Sequence, residues 1–445
     1  MVLLAAFSCL ILVQWISSAK LLLEASPNFE ELLKKKPDGS YRGPRAGEVF
    51  KNPNLANTFR ALAKDGKKGF YEGPIAEEII KAIKDRGGLL ELEDLTNHME
   101  LGSEPVNPIS KIFKGQGYAQ RNGKYVDEIS DQSTKGNFGV EVWEHPPNGQ
   151  GIVALMTLGI MEELEKSGQI PTFTESEHNS VEYLHALIES LRIAFADASW
   201  WVADPNVSRV PSTGLISQEY LAERAKLFDP KKASDKIYDR GSPAHNHSDT
   251  VYFAVTDKEG NAISFINSNF HGFGSAIIPK GCGFTLQNRG ANFQLEPGHP
   301  NAIAPGKRPY HTIIPAMITN AHDGTLHSVY GVMGGFMQPQ GHVQVLLNML
   351  TFKHNPQVAL DAPRFCIGAE GMPGDGNGRK VFLEEGISEG VCKKLREMGH
   401  EAEIVTGYAR GVFGRGQLIR SHVEDGAAVF SAGSDQRGDG AAYPG

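Results

Sequence analysis

The stretch that most constrains this chain runs from His247 to Asp257, where a short polar segment gives way to a strand. Thr250 opens a run in which β-branched and aromatic residues dominate. A turn at 258–261 and a return strand from Ala262 to Asn267 complete the pattern of a β-hairpin. A hydroxyl residue in this position is most often only the start of a strand. The function of Thr250 must therefore be judged from the motifs around it.

Length and composition bound the class of protein. A chain of 445 residues can form one large domain or two ordinary ones with an ample core. The hydrophobic fraction of 40% and the charged fraction of 22% are typical of a soluble globular protein. A formal net charge of -8 argues against a nucleic-acid-binding surface. Cys282, Cys366 and Cys392 lack metal-like spacing, so we expect core or free thiols and no metal site.

The amino terminus allows two interpretations. Met1 to Val13 is apolar and Ser17-Ser18-Ala19 resembles a cleavage site, as in a secretory signal. No Lys or Arg precedes the apolar run, and the run is short for a membrane span, so a buried helix start is an equal alternative. Residues 1–19 are thus either signal-like or an unrelated apolar segment. The protein is secreted or membrane-associated in the first case and cytoplasmic in the second.

Further motifs follow one another along the chain. They are Pro146–Gly151, Ala194–Asp197, Lys307–Pro309, Gly331–Gly335 with Gln338–His342, and Ala362–Phe365. Together with Asp249–Asp257 and Gly272–Ser275, they resemble the blocks of the gamma-glutamyltransferase, or glutathione hydrolase, family in family order. The chain resembles most closely the subgroup that shades into cephalosporin acylases. The resemblance extends from about Trp15 to the end of the chain.

The resemblance implies an α+β fold, the four-layer αββα sandwich of amino-terminal nucleophile hydrolases. It aligns Thr250 with the family nucleophile and places self-cleavage at the Asp249–Thr250 bond. The chain then divides into a large-subunit portion, 20–249, and a small subunit, 250–445. In the family, a long amino-terminal part of the large subunit supplies an arginine that grips the substrate's α-carboxylate. That part has no counterpart in this sequence.

Thr250 can serve as both nucleophile and base. Its Oγ1 attacks the carbonyl of Asp249, and water cuts the resulting ester to expose the α-amino group of Thr250. An α-amino group has a pKa near ~8, so it accepts a proton close to neutral pH. No metal or organic cofactor is implied.

The resemblance also assigns residues around the nucleophile. Ser268 aligns with a family threonine that hydrogen-bonds the nucleophile, with an ordinary strand serine as an even alternative. Gly334 and Gly335 align with the glycines of the family's oxyanion hole. Acyl transfer builds negative charge on a carbonyl oxygen, and backbone N–H groups reach it only where side chains do not intrude.

The expected substrate-binding positions depart from the family pattern. Arg289 replaces a glutamine and Asn292 replaces an acid. His311 and Thr312 replace a serine pair that helps to hold the α-carboxylate, and Asn269 lies beside the position of a family asparagine. Loss of an acid removes the partner of a cationic amine, while an added arginine attracts an anion. We expect acyl groups that carry a carboxylate without the amino group, such as glutaryl-like acyls.

Other polar residues are predicted to be structural. His178 and His185 accompany a predicted helix that runs through Phe195, and Asp197 and Asp204 are expected as caps and loop anchors. The charged segment from Lys226 to Ser242 is predicted to be an exposed linker that leads to the scission point.

Three functional hypotheses follow. The first is a self-cleaving hydrolase or acyltransferase for the γ-glutamyl amide bond of glutathione and related small molecules, with water, an amino acid or a peptide as acceptor. The second is an acylase for glutaryl-type amides. The third is a truncated relative that does not mature. None of the three involves nucleic acid.

Overall fold

The computed structural model describes residues 19–45, 48–102, 105–114, 139–234, 248–368, 380–425 and 427–444, with the backbone alone at 248 and 249. The chain forms two compact units. Unit 1 comprises residues up to 106 together with 269–289, and unit 2 comprises 107–268 with 290–445. The signal-like interpretation concerns residues 1–19, of which only the last is described. Within the described ranges, no helix combines the length and apolar character of a membrane span.

Unit 1 is mainly helical. Its elements are α1 (19–25), β1 (Lys34–Lys35), β2 (Tyr41–Arg42), α2 (Pro53–Asp65), α3 (Lys68–Tyr71), α4 (Gly73–Lys84) and α5 (Leu92–Leu101). The apolar periodicity predicts α2 and α4, and both helices are confirmed. The helical pattern predicted from Leu21 to Leu33 is confirmed only through residue 25, followed by a 3-10 turn at Phe29–Glu31.

A small core joins the two segments of unit 1. Leu22, Leu32 and Leu33 pack against Ala276 and Ile278. The carboxylate of Glu31 accepts hydrogen bonds from the amides of Gly281 at 2.7 Å and Gly283 at 2.8 Å. The segment 269–289 is therefore an integral part of unit 1, although it is distant in sequence.

Unit 2 contains a six-stranded antiparallel sheet in the order β13-β12-β8-β7-β4-β3. The strands are β3 (Ile109–Phe113), β4 (Val140–Glu144), β7 (Ala316–Asn320), β8 (Leu326–Met333), β12 (Arg415–Glu424) and β13 (Ala427–Ser434). The alternating sequence predicts β4, which is confirmed. Residues 101–138 are polar and turn-rich in sequence, which predicts no strand there. That prediction is wrong for β3, because pairing with β4 stabilises a strand.

Helices and a second sheet complete unit 2. The helices are α6 (Gly151–Lys166), α7 (Val181–Trp201), α8 (Ser212–Leu215), α9 (Gln218–Ala225), α10 (Met337–Leu350), α11 (Pro356–Asp361) and α12 (Glu389–Glu397). The second sheet joins β9 (Phe365–Ile367), β10 (Lys380–Glu384) and β11 (Glu401–Val405). The predicted burial of α6 on most faces is confirmed. The three cysteines predicted as core or free thiols are buried and free.

The predicted hairpin is confirmed as β5 (Ser248–Thr256) and β6 (Ala262–His271). Its inner face packs on the six-stranded sheet, where a Cβ at Gly331 would lie only 2.4 Å from the ring of Tyr252. The preceding residue of β8, Tyr330, points to the opposite face, and its ring centre lies 5.1 Å from that of His342 on α10. Unit 2 thus stacks helices, a sheet and the hairpin. The mixed α and β composition is confirmed, and the full four-layer sandwich stays a prediction.

A buried charge cluster fixes the carboxyl-terminal strands. Asp435 receives Arg364 Nη2 at 2.7 Å, Arg437 Nη1 at 3.0 Å and the amide of Gly416 at 2.9 Å. Arg437 also pairs with Glu384 on β10. Although burial raises the pKa of Asp435, the two guanidinium groups and the amides outweigh it and hold that pKa below its usual value. The cluster therefore stays ionised at neutral pH.

Asp435→Asn should lower the free energy of unfolding by about 3–5 kcal/mol, because it leaves buried guanidinium charge without its partner. Urea denaturation measures the effect. The matched control, Asp425→Asn, changes an exposed turn residue and should alter stability by less than about 0.5 kcal/mol. Equal effects of the two substitutions would contradict a role for the cluster in stability.

Candidate active site

Thr250 lies on the inner face of β5, with only 3% of its surface exposed. Tyr252 follows on the same face, and its hydroxyl lies 2.8 Å from Ser264 Oγ of β6. Ser264 Oγ also donates to the carbonyl of Tyr330 on β8 at 3.5 Å. These contacts fix the strand that carries Thr250 against both neighbouring elements. Ser268 is half-buried further along β6, and its predicted bond to the nucleophile stays a prediction.

The glycine pair lies in the turn between β8 and α10. Gly334 has φ 134° and Gly335 has φ 61°, a region that favours glycine. Their carbonyls accept the amides of Met337 at 3.0 Å and Gln338 at 3.2 Å. Within the described part of the chain, the amides of the two glycines donate no hydrogen bond. These N–H groups, at the positive end of α10, are suited to bind a carbonyl oxygen that gains negative charge.

Gln150 holds the glycine turn in place. Its Nε2 donates to the carbonyls of Thr312 at 2.7 Å and Gly335 at 2.9 Å, and its Oε1 accepts the hydroxyl of Tyr310 at 3.1 Å. The side chain is fully buried. Sequence reasoning included this residue in the motif Pro146–Gly151 but assigned it no role of its own. A polar residue directly before a buried helix was the available signal.

Three of the predicted substrate-binding residues join this hydrogen-bonded group. Asn292 Nδ2 donates to the carbonyl of Tyr310 at 3.0 Å. His311 and Thr312 follow Tyr310, and the His311 carbonyl accepts the amide of Gln150 at 3.1 Å. Asn292, His311, Thr312 and Gly335 therefore belong to one network in unit 2. The amide nitrogen of Asn292 is already engaged by the protein backbone.

The other two predicted substrate-binding residues belong to unit 1. The guanidinium carbon of Arg289 lies 4.8 Å from the ring centre of Phe270, and the residue is 6% exposed. Burial lowers the pKa of Arg289 to about 10, so the side chain stays charged at neutral pH. Asn269 Nδ2 donates to Thr285 Oγ1 at 3.4 Å. Arg289 is therefore a buried cation stacked on an aromatic ring.

A buried histidine–glutamate pair lies in unit 2, and sequence reasoning did not identify it. His342 Nδ1 of α10 lies 2.8 Å from Glu144 Oε1 of β4, and neither side chain is exposed. Burial raises the pKa of Glu144, although His342 opposes the shift. Three buried atoms here have no hydrogen-bond partner among the described residues. They are Glu144 Oε2, His342 Nε2 and Nε2 of Gln338, which belongs to the same helix as His342. The pair joins the sheet to the helix that begins at the glycine turn.

One group of described side chains has the donor types of a metal site, namely His185, Glu189 and His400. Arg192 donates to His400 Nδ1 at 3.1 Å, His400 Nε2 lies 2.8 Å from His185 Nδ1, and His185 Nε2 lies 2.8 Å from the Asp229 carbonyl. Because arginine can only donate, both histidines form a neutral chain of hydrogen bonds. The adjacent guanidinium also disfavours a bound cation. His185 is hydrogen-bonded at both ring nitrogens, and its structural role stays a prediction.

The linker prediction needs correction in its first part. Ser234 donates its amide to Glu189 Oε2 at 3.1 Å, and Ala233 is buried with its amide on the Met398 carbonyl at 2.7 Å. Residues 229–234 are therefore anchored to α7 and to the residues after α12. The remainder of the predicted linker, 235–242, lies outside the described residues.

The loop-anchor prediction is confirmed for Asp204 but is wrong for Asp197, which lies within a helix and pairs with a second helix. Asp204 accepts the amide of Arg308 at 2.9 Å and its Nη2 at 2.9 Å. Asp197 of α7 pairs with Arg224 of α9 at 2.8 Å.

Gly334→Ala should destabilise unit 2 by about 1–3 kcal/mol, because alanine is strained at φ 134°. The added Cβ would also lie 3.2 Å from Gly414 Cα. Gly214→Ala is the matched control, since its φ is not positive and its nearest neighbour lies at 3.9 Å. Urea denaturation should show no loss for the control, and an equally unaffected Gly334→Ala protein would contradict the turn geometry.

Comparison with known proteins places this geometry in a family. The family model for gamma-glutamyltranspeptidase matches residues 11–445. The glutathione hydrolase-like YwrD proenzyme of Bacillus subtilis is 31% identical over 405 residues, which cover 90% of this chain and 67% of that protein. The oxamate amidohydrolase proenzyme of Klebsiella pneumoniae is 31% identical over 400 residues, which cover 90% of this chain and 66% of that protein.

Among solved structures, a cephalosporin acylase from Bacillus halodurans is similar with a TM-score of 0.76 and 35% identity. The similarity covers 97% of this chain and 70% of the acylase. The chain thus spans about two thirds of the length of these relatives. The resemblance predicted from the motifs is confirmed, and the chain belongs to the gamma-glutamyltranspeptidase family.

Proposed function

We propose that this protein is a self-cleaving amidohydrolase whose nucleophile is Thr250 and whose preferred acyl substrates carry a carboxylate. The observation that carries the proposal is the burial of Thr250 on β5. The same unit presents the amides of Gly334 and Gly335, which donate no hydrogen bond to any residue that the structure describes. A nucleophile and oxyanion donors are the two requirements of acyl transfer. Relatives named as proenzymes support the self-cleavage.

Maturation begins in the intact chain. Thr250 Oγ1 attacks the carbonyl carbon of Asp249, the C–N bond breaks as the amine leaves, and an ester joins the two residues. Water then cleaves the ester, which leaves a carboxylate on Asp249 and a free α-amino group on Thr250. The products are two polypeptides from one chain, 1–249 and 250–445.

The mature threonine then acts on amides. Its α-amino group accepts the proton of Oγ1, which attacks the substrate carbonyl, and the amides of Gly334 and Gly335 stabilise the resulting oxyanion. The protonated amine next gives its proton to the leaving nitrogen, and an acyl-enzyme forms on Oγ1. Water, or an acceptor amine in the transferase reaction, releases the acyl group.

The residues at the specificity positions favour an acyl group without an α-amino group. Asn292 replaces an acid and its amide nitrogen is engaged with Tyr310, so it offers no negative charge to an ammonium group. Arg289 remains cationic, and guanidinium binds carboxylates through paired hydrogen bonds. Oxamate, named in one relative, is an amide with a carboxylate and no amino group. A second relative is named as an acylase, which supports cleavage of an amide bond.

Cleavage of γ-glutamyl amides is the second candidate. A glutathione hydrolase proenzyme of Pseudomonas aeruginosa is 29% identical over 413 residues, or 90% of this chain. Both candidates share Thr250 and the glycine turn, so they differ only in what is recognised beyond the scissile amide.

Thr250→Ala should abolish self-cleavage, and Thr250→Ser should retain it, because only a hydroxyl can form the ester. A denaturing gel with intact-mass analysis should show fragments 1–249 and 250–445 for the wild type. Thr256→Ala, a change of the same kind at the end of β5, is the matched control and should cleave normally. An uncut wild-type chain, indistinguishable from Thr250→Ala, would instead favour the hypothesis of a relative that does not mature.

Arg289→Gln should reduce selectivity for glutaryl over γ-glutamyl p-nitroanilide. We expect the ratio of the two kcat/KM values to fall about tenfold or more, because both acyl groups carry a carboxylate but only the γ-glutamyl group carries an ammonium. The guanidinium repels that ammonium at a cost of roughly 1–4 kcal/mol. Arg60→Gln, an exposed change in the same unit with the same loss of charge, is the control. Self-cleavage of each variant verifies folding. An unchanged ratio for Arg289→Gln would rule out this arginine as the selector.

A further inference from the structure

Unit 2 contains a row of polar side chains that neither the family motifs nor the proposed catalysis uses. It crosses three adjacent strands, where Ser328 of β8 is paired with Arg420 of β12, and Arg420 is paired with Ser431 of β13. Directly paired residues of antiparallel strands project from the same face of a sheet. Arg420 is therefore flanked on both sides by a hydroxyl group.

An irregularity in β8 adds a histidine to this row. The register between β7 and β8 shifts after Ile318, so Ser328 and Leu326 have partners on β7 while His327 between them has none. Such an extra residue can re-aim its side chain. His327 Nδ1 lies 2.8 Å from Ser328 Oγ, which places the imidazole beside the row. His422, two residues after Arg420, bonds Ser431 Oγ through Nε2.

The row has more hydrogen-bond donors than acceptors. His327 is 6% exposed, and its Nε2 has no partner among the described residues. The buried Nε of Arg420 likewise has no partner there, and no ion pair joins Arg420 to a carboxylate in the described ranges. Since native proteins satisfy nearly all buried polar groups, two such orphans in one place require an explanation.

The tautomer of His327 determines which donor of the row is spare. If the hydroxyl of Ser328 donates to Nδ1, then Nε2 carries a hydrogen that lacks an acceptor. If Nδ1 donates instead, the hydroxyl hydrogen of Ser328 is left over. The first arrangement leaves only donors beside a guanidinium group, and an acceptor-only ligand with negative charge complements it. The second would also leave the lone pair of Nε2 without a donor.

We propose that His327, Ser328, Arg420 and Ser431 form a binding site for a small oxyanion, a group with at least two oxygen acceptors such as phosphate, sulfate or a carboxylate. Arg420 would supply the charge and its Nε–H, and His327 with Ser328 the spare donor. Burial, together with Arg420 and His422, lowers the pKa of His327 to about 3, so Arg420 remains the charge of this pair at neutral pH.

The site is separate from the proposed catalytic turn. His327 is at the start of β8, and Gly334 follows its end, seven residues further on. At roughly 3.3 Å per residue, the two are about 23 Å apart. The proposal therefore does not depend on the proposed amidohydrolase function, and the uncut Thr250→Ala chain can be used to test it.

The test compares thermal unfolding of the full chain in sulfate, phosphate, acetate and chloride at equal ionic strength. An anion bound only by the folded protein raises Tm in a saturable way. Sulfate and phosphate also stabilise folded proteins in general, so specific binding is shown only by a difference in Tm shift between the wild type and the variants. Arg420→Gln should lose the excess shift over chloride, and Arg420→Lys should keep only part of it because it lacks the Nε donor.

Arg209→Gln is the control for net charge, since Arg209 is an exposed residue of the same unit. It should keep the full response to oxyanions. Isothermal titration with each anion should give one site per chain in the wild type and at least tenfold weaker binding in Arg420→Gln. A response to acetate equal to that of phosphate would identify a carboxylate site, and a phosphate response alone would identify a tetrahedral one. Equal responses of all variants to every anion would overturn the proposal.

Discussion

The geometry of the candidate active site depends on one buried carboxamide. Gln150 connects the loop before α6, the segment 310–312 and the turn at Gly335 with three hydrogen bonds of 2.7–3.1 Å. A fully buried amide cannot exchange these partners for water, so each lost bond carries a desolvation penalty of about 1–3 kcal/mol. The positions of the Gly334 and Gly335 amides thus depend on a residue of the proposed large-subunit portion. This makes the proposed oxyanion donors dependent on both sides of the proposed scission point.

The strand that carries Thr250 is held by the contacts of Tyr252. Tyr252 fits against Gly331 because that residue has no side chain, and its hydroxyl is tied to Ser264. Burial raises the pKa of Tyr252 well above its usual value, so this hydroxyl stays protonated across the physiological range. On the other face of the sheet, Glu144 and His342 join β4 to the helix that starts at the glycine turn. Packing and hydrogen bonding therefore position β5 and α10 independently against the same sheet.

Local sequence patterns predicted the elements that depend on local physics. The hairpin at 248–271 follows from its turn residues, and α2 and α4 follow from periodicity. The helix α6 follows from apolar residues on most of its faces. Contacts between residues that are distant in sequence could not be predicted from local patterns. Strand β3 is stabilised by pairing with β4. Gln150 can hold the glycine turn only because the fold brings Gly335 within hydrogen-bond distance of its side chain.

The same distinction applies to the candidate site. Thr250, Gly334 and Gly335 are candidates because their motifs are specific, whereas the hydrogen bond from Asn292 to Tyr310 depends on the fold and has no signal in the sequence. The anchoring of residues 229–234 was also hidden, since a charged and poorly patterned segment suggests exposure. Its contacts are made by backbone amides, and a backbone amide carries no sequence signal.

The outer face of the hairpin connects the fold with maturation. Within the described part of unit 2, Val251, Phe253, Val255, Ile263 and Phe265 are exposed, and the two phenylalanine rings stack 4.9 Å apart. A two-stranded hairpin is marginal by itself, so the inner face supplies most of its stability here. Burial of the outer face, as a four-layer sandwich implies, would restrict β5 from both sides. Because self-cleavage requires Oγ1 to be held close to the preceding carbonyl, rigidity of this strand and competence for cleavage rest on the same packing.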